Sequence, residues 1–345
     1  PMLAGEPLAD YPPLYFWTAS AFAWLGSAFL PAHGGARLAS AFFVALAVYF
    51  VARATETLHG RPVRTPGALL ALGALGLVLH AHETQPLLAV FAMLALVVSG
   101  LAELPGRPLA GSIKAGVGSA LAFLGGGFSG LLVTAPLLPL VFLFSSECRT
   151  PRASGALLLG LFLAVTLAAA WPIALQLTHP ELLTLWLRAE WLRLTGPALA
   201  LRDIADLLEL AGWFLWPLWP LALWALWRGR RKLTTLPVML PLLSLMLVVL
   251  WLVASGDSSQ ARMILLIPAS ALLAASGVST LRRGAASAFD WFALMSLAVF
   301  GVLVWLAWTA QAVGWPPGLA RHVARNAPDF VLPGGHFQLA AGVAI

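Results

Sequence analysis

The sequence predicts an all-α integral membrane protein, a polytopic helical bundle of about ten transmembrane helices with further helices lying at the membrane surface. Three observations carry this. Of 345 residues, 60% are hydrophobic and only 10% are charged, whereas a soluble domain carries about 25% charged residues. Apolar runs recur that are long enough to cross a bilayer, which takes roughly 17–25 residues. The basic residues between these runs fall in alternate loops. An ordinary soluble enzyme, a disordered chain and a disulfide scaffold are excluded. Cys148 is the one cysteine, so neither an internal disulfide nor a cysteine metal cluster can form. The net charge of +6 does not point to nucleic acid, because Arg and Lys of a membrane chain gather in its cytoplasmic loops.

Apolar runs at 37–54, 65–81, 86–102, 154–175, 211–227, 235–254, 263–281 and 289–311 each read as a crossing. The stretch 113–146 would make a helix of about 50 Å, too long for one bilayer core of about 30 Å. Gly125, Gly126 and Gly127 lie near its middle, so it reads as two helices joined there. Arg53, Arg61 and Arg64 follow the first crossing, Arg107 and Lys114 the third, and Arg149 and Arg152 the fifth. Arg228, Arg230, Arg231 and Lys232 follow the seventh, and Arg282 and Arg283 the ninth. These loops are cytoplasmic by the positive-inside rule. They hold 13 of the 20 basic residues but only 4 of the 14 acidic ones, so both signs of charge support one topology.

This topology places residues 1–36 outside, as a loop with an interfacial helix. Residues 37–311 form the transmembrane bundle, with a long outer loop at 176–210. Residues 312–345 form an outer segment. The chain opens at Pro1 without a signal peptide, which predicts a span upstream and a fragment of a longer protein.

Four outer segments gather carboxylates, histidines, arginines and aromatics, and such crowding on one face of a membrane bundle marks a candidate site. In the first, Glu6 and Asp10 precede Tyr11-Pro12-Pro13-Leu14-Tyr15-Phe16-Trp17. Proline favours a helix start and Tyr and Trp favour the membrane interface, so 13–30 reads as an interfacial helix. The second is His80-Ala81-His82-Glu83. It can act as a base with its orienting partner, hold a divalent metal, or be a polar turn. The third, 176–210, has leucines and Trp186 at near-helical intervals. Its Arg193 and Arg202 are candidates for a phosphate, which suits the rigid donor fork of arginine. In the fourth, Arg262 heads an apolar run, where it can meet a lipid-linked phosphate or snorkel to headgroups. No GxxxxGK[ST], strand-flanked GxGxxG or HExxH motif occurs, which argues against ATP hydrolysis by this chain alone.

These residues, in this order, resemble the polytopic glycosyltransferases of the C-type (GT-C) fold. Among them the chain is similar to bacterial relatives of the dolichyl-phosphate-mannose protein mannosyltransferases and of the lipid A aminoarabinose transferase. The Tyr11–Trp17 segment resembles the family's Pro-Pro-aromatic element. Arg37-Leu38-Ala39-Ser40-Ala41 resembles its Arg-Leu-Pro-Ser-Ala crossing start. Glu83 stands where the family has an acidic residue opening a crossing, and Arg262-Met263-Ile264-Leu265-Leu266-Ile267-Pro268 resembles its Arg-Tyr-Leu-Leu-Pro helix. Trp171-Pro172 resembles its Pro-Trp before the long loop.

The resemblance covers about residues 5–310. It implies transfer of a sugar from a polyprenyl-phosphate donor to a lipid, protein or glycan acceptor, on the periplasmic side of the bacterial inner membrane, with membrane lipids as further partners. It implies a catalytic set of Glu83, His82, Glu6 and Asp10. It implies a substrate-binding set of Arg262, Arg193, Arg202, Tyr15, Trp17 and His80, and in some members a divalent metal. The chain departs from the family in lacking the lysine beside the Pro-Pro element and the later Lys-Gly, where Gly127-Phe128-Ser129-Gly130 stands. The competing classes are a transporter or lipid flippase, an O-antigen ligase or glycan polymerase, and a membrane subunit without enzymatic activity. The scarcity of charge within the crossings favours chemistry at one surface over transport.

Overall fold

The computed structural model describes residues 2–3, 6–7, 11–195, 201–255, 259–278 and 280–326. It is helical throughout apart from one antiparallel pair, β1 (Met2–Leu3) with β2 (Glu6–Pro7). The chain forms two compact units, 1–280 and 281–345.

In the first unit, α1 (Leu14–Leu25) starts directly after the two prolines. The next helix, α2 (Ala32–His59), has 28 residues, about 42 Å of helix. It stops at Gly60, whose φ of 93° suits glycine and few other residues. The expected crossing at 65–81 is not one helix but two, α3 (Arg64–Leu72) and α4 (Leu75–His80). At the break Ala74 is extended, and the Leu75 N–H donates to the Trp216 carbonyl at 3.0 Å. The helix is interrupted because a neighbouring segment takes up its backbone bond.

The centre of the unit is α5 (Leu87–Ala102), in which 14 of 16 residues are buried. A helix apolar on every side belongs inside a bundle rather than at its surface. Helix α6 (Pro108–Leu132) packs along it and leaves helical geometry at Gly127. After a second break comes α7 (Leu137–Phe144). The glycine run does divide 113–146, and the turning residue is the third glycine. The returning arm is itself broken, which the sequence pattern did not show. Helix α8 (Pro151–Thr178) packs on α6. A Cβ at Gly116 would fall 2.2 Å from the Gly160 carbonyl oxygen, so these two helices approach at a distance only glycine permits.

The long outer loop contains α9 (Pro180–Leu194) and α10 (Leu201–Phe214), followed by α11 (Leu218–Gly229). The last two are bent by 99° where one crossing, 211–227, was expected. Helix α12 (Leu236–Ala254) follows, then a 3-10 stretch, Gln260–Leu266, that runs into α13 (Ile267–Val278). Among the described residues, five helices are long and apolar enough to cross a membrane, or six if the bent pair is one span. Of the ten expected crossings, 65–81 and 211–227 are each divided into two helices, and 86–102 is the 16-residue α5. The second unit consists of α14 (Arg283–Ala312), which contains the expected crossing 289–311, and α15 (Pro317–Asn326).

Residues in or beside four of the five loops assigned by charge to one face meet at one end of the first unit. Arg53, Glu103, Arg107, Glu147 and Leu236 line a single cavity of about 460 Å³ there. Lys114 grips the Glu103 carboxylate at 2.6 and 2.8 Å, and Glu56 faces Arg53 at 2.8 Å and Arg64 at 3.4 Å.

Candidate functional site

The opposite end of the unit gathers the polar residues, and it is built around Ser40. The Ser40 hydroxyl donates to the Glu83 carbonyl at 2.7 Å. It stands 2.7 Å from the Tyr15 hydroxyl, which therefore donates to it. Both side chains are buried, and the Tyr15 ring stacks on Phe43 with centroids 6.0 Å apart. Burial pushes the Tyr15 phenol above its ordinary value, opposed by the bond to Ser40, so Tyr15 keeps its proton and its donor role at neutral pH. The Pro-Pro segment, the start of α2 and the turn after α4 are thereby tied to one point.

In that turn the Glu83 carboxylate lies 3.0 Å from Nδ1 of His80. His80 is nearly buried and stacks on Phe214 at the end of α10, with centroids 5.7 Å apart. Gly76, one turn before His80, has room for no side chain, since a Cβ would fall 2.1 Å from the Phe214 ring. Glu83 is 43% exposed, so a substrate can reach the carboxylate. The partner of Glu83 is thus His80, not His82 as the sequence suggested. In a tight turn, neighbours two apart point differently, and His82 faces a groove along α2 together with Arg37.

A second carboxylate is buried on the same side. Glu190 of α9 is 1% exposed and accepts the Phe128 N–H at 2.9 Å. It also pairs with Arg193 one turn along α9. Gly127 creates this seat. Its φ of 64° and ψ of −146° turn the Phe128 N–H outward, and a Cβ on it would lie 2.3 Å from a Glu190 oxygen. Burial raises the Glu190 carboxyl above its ordinary value, and the Phe128 N–H and Arg193 oppose that shift. Beside it Trp186 is buried against Phe123, Phe128 and Trp171. Arg193 lies over the Tyr11 ring at 5.0 Å, so α9 is bound to the bend of α6 on one side and to the Pro-Pro segment on the other.

Arg262 stands at the head of the 3-10 stretch, where it donates to Ser255 Oγ at 3.1 Å and lies over Trp251 at 5.1 Å. That stretch packs against α4, α5 and α10, which brings the fourth polar segment beside the second and third. Trp17 is 54% exposed on α1. The Glu6 side chain, Asp10 and the Arg202 side chain lie outside the described residues. Glu190 was visible in the sequence only as one charge in a loop. The signal that could have found it is a Glu three residues before an Arg, facing a glycine run.

No group of three or more His, Cys, Asp and Glu suited to a metal ion occurs among the described residues. His80 and Glu83 alone make two ligands, since His82 faces the groove. The described donor set therefore does not fit the divalent metal that the resemblance allows.

No protein-family model and no curated protein matches the sequence. The fold, however, is a known one, the helical membrane fold called GT-C. The crystal structure of ArnT from Cupriavidus metallidurans in the apo state superposes with a TM-score of 0.62 at 19% identity. The match covers 88% of this chain and 55% of that one, so the chain spans about half the length of the protein it resembles.

Proposed function

We propose that the protein is a membrane glycosyltransferase that moves a sugar from a polyprenyl-phosphate donor to a lipid acceptor, at the periplasmic face of a bacterial inner membrane. The observation that supports this most is the accessible Glu83 carboxylate, on a turn pinned through Ser40, with Arg262 on a segment packed against α4 and α5. ArnT, which shares the fold, is a lipid A aminoarabinose transferase, and this favours a lipid acceptor.

In this reading Arg262 and the Glu83 turn flank the bound donor. The acceptor hydroxyl attacks the anomeric carbon from the side opposite the phosphate. A bond forms from acceptor oxygen to carbon, the bond from carbon to phosphate oxygen breaks, and the polyprenyl phosphate departs with the electron pair. Glu83 takes the acceptor proton as general base. The Tyr15–Ser40 pair holds its backbone in place. Arg262 faces the phosphate, whose negative charge grows as it leaves, and its guanidinium is suited to phosphate oxygens. Arg193, engaged by Glu190 and Tyr11, positions the outer loop rather than the donor.

The test uses the purified full-length protein in nanodiscs with radiolabelled polyprenyl-phosphate sugars. Donor consumption and release of polyprenyl phosphate are expected, with kcat lowered about 10²–10⁴-fold by Glu83→Gln and phosphate-dependent binding weakened by Arg262→Ala. Donor turnover that both variants retain would remove these residues from the site.

A further inference from the structure

A separate groove of about 820 Å³ runs beside α2 and α3, and the mechanism above makes no use of it. Its floor is Ala41, Val44, Val48 and Ala52 of α2. From Ala41 to Ala52 that floor extends about 16 Å at 1.5 Å per residue. This matches one leaflet, half of a hydrocarbon core of about 30 Å. The groove is open at the side, where Tyr49 and Leu72 on its rim are 52% and 45% exposed.

Charge gives the groove a direction. At the far end Glu56 lies against Arg53 at 2.8 Å, Arg64 at 3.4 Å and Arg61 at 3.6 Å, so Arg64 already has an ion-pair partner there. At the near end stand Arg37, one turn above Ala41, and His82. Among the described residues Arg37 has no ion-pair partner, and it is exposed. An apolar trough one leaflet deep with a free guanidinium at its mouth is complementary to an acyl chain joined to a phosphate. We infer that this groove holds one anionic phospholipid of the bilayer, its chain along Ala41–Ala52 and its phosphate on Arg37 and His82. A zwitterionic lipid fits the trough equally well but adds a cation beside Arg37, so the arginine selects against it. The lipid seals the gap left where α3 ends early at Leu72, and it fixes the turn that carries His82 and Glu83.

Native mass spectrometry of the delipidated full-length protein tests this. The protein is titrated with phosphatidylglycerol, phosphatidylcholine of the same chains, and a polyprenyl phosphate. One tightly retained phosphatidylglycerol is expected, held about tenfold more strongly than phosphatidylcholine. Arg37→Gln, an exposed substitution that leaves packing intact, is expected to abolish that preference. Val48→Trp, which fills the trough, is expected to remove both lipids, and Arg61→Ala at the opposite end to change neither. Equal retention of the two phospholipids, or a preference that survives Arg37→Gln, overturns the assignment. Tighter retention of polyprenyl phosphate with the same dependence on Arg37 overturns it too, and gives the groove to the donor.

Discussion

Replacing Gly127 by Ala is expected to destabilise the protein mainly through Glu190, and a double-mutant cycle isolates that effect. At φ 64° and ψ −146° an L side chain is strained by about 1–3 kcal/mol. The new methyl would also lie 2.3 Å from a Glu190 oxygen, so the carboxylate must leave the Phe128 N–H. A hydrogen bond to a charged group contributes about 1.5–3 kcal/mol, which brings the total to about 2.5–6 kcal/mol. In a Glu190→Ala background the carboxylate is already gone, and only the backbone strain remains. The cost of Gly127→Ala should then fall by about 1.5–3 kcal/mol. The assay is reversible SDS unfolding followed by the emission of the chain's 15 tryptophans, Trp186 among them. If the two single-variant costs add to within about 0.5 kcal/mol, Gly127 does not act through Glu190 and the seat described above is wrong.

Further outcomes follow from the same contacts. Burial raises the Glu190 carboxyl above its ordinary 4.5, so the folded state binds that proton more tightly than the unfolded one. Stability should therefore fall as pH rises from about 4.5 through the raised value; thermal melts across pH should show this slope, flattened in Glu190→Gln. Ser40→Ala strands the buried Tyr15 hydroxyl and the Glu83 carbonyl and should cost about 1–3 kcal/mol by SDS unfolding, while Tyr15→Phe leaves the Ser40–Glu83 bond intact and should lose less of that bonding. Gly116→Ala forces α6 and α8 apart against the Gly160 carbonyl and should cost about 1–3 kcal/mol or more, read as a lower melting point.

The bundle was legible in the sequence because transfer of a side chain into lipid is a property of each residue and its near neighbours. Long apolar runs marked α2, α8 and α12, and the alternation of Arg and Lys grouped the loops that meet around Glu103, Lys114 and Glu147. The Pro12-Pro13 start of α1 and the turn near Gly125–Gly127 are likewise local, since proline and glycine act on their own backbone. The tertiary structure alone decided the rest. The break between α3 and α4 depends on a carbonyl at Trp216, far along the chain. Which histidine meets Glu83 depends on Phe214 stacking beneath His80. Glu190 is buried only because Gly127 turns an N–H toward it from another helix. Such pairings join residues dozens of positions apart, and hydropathy and spacing carry no information about which helix faces which; that follows from packing small residues and satisfying buried polar groups at the same time.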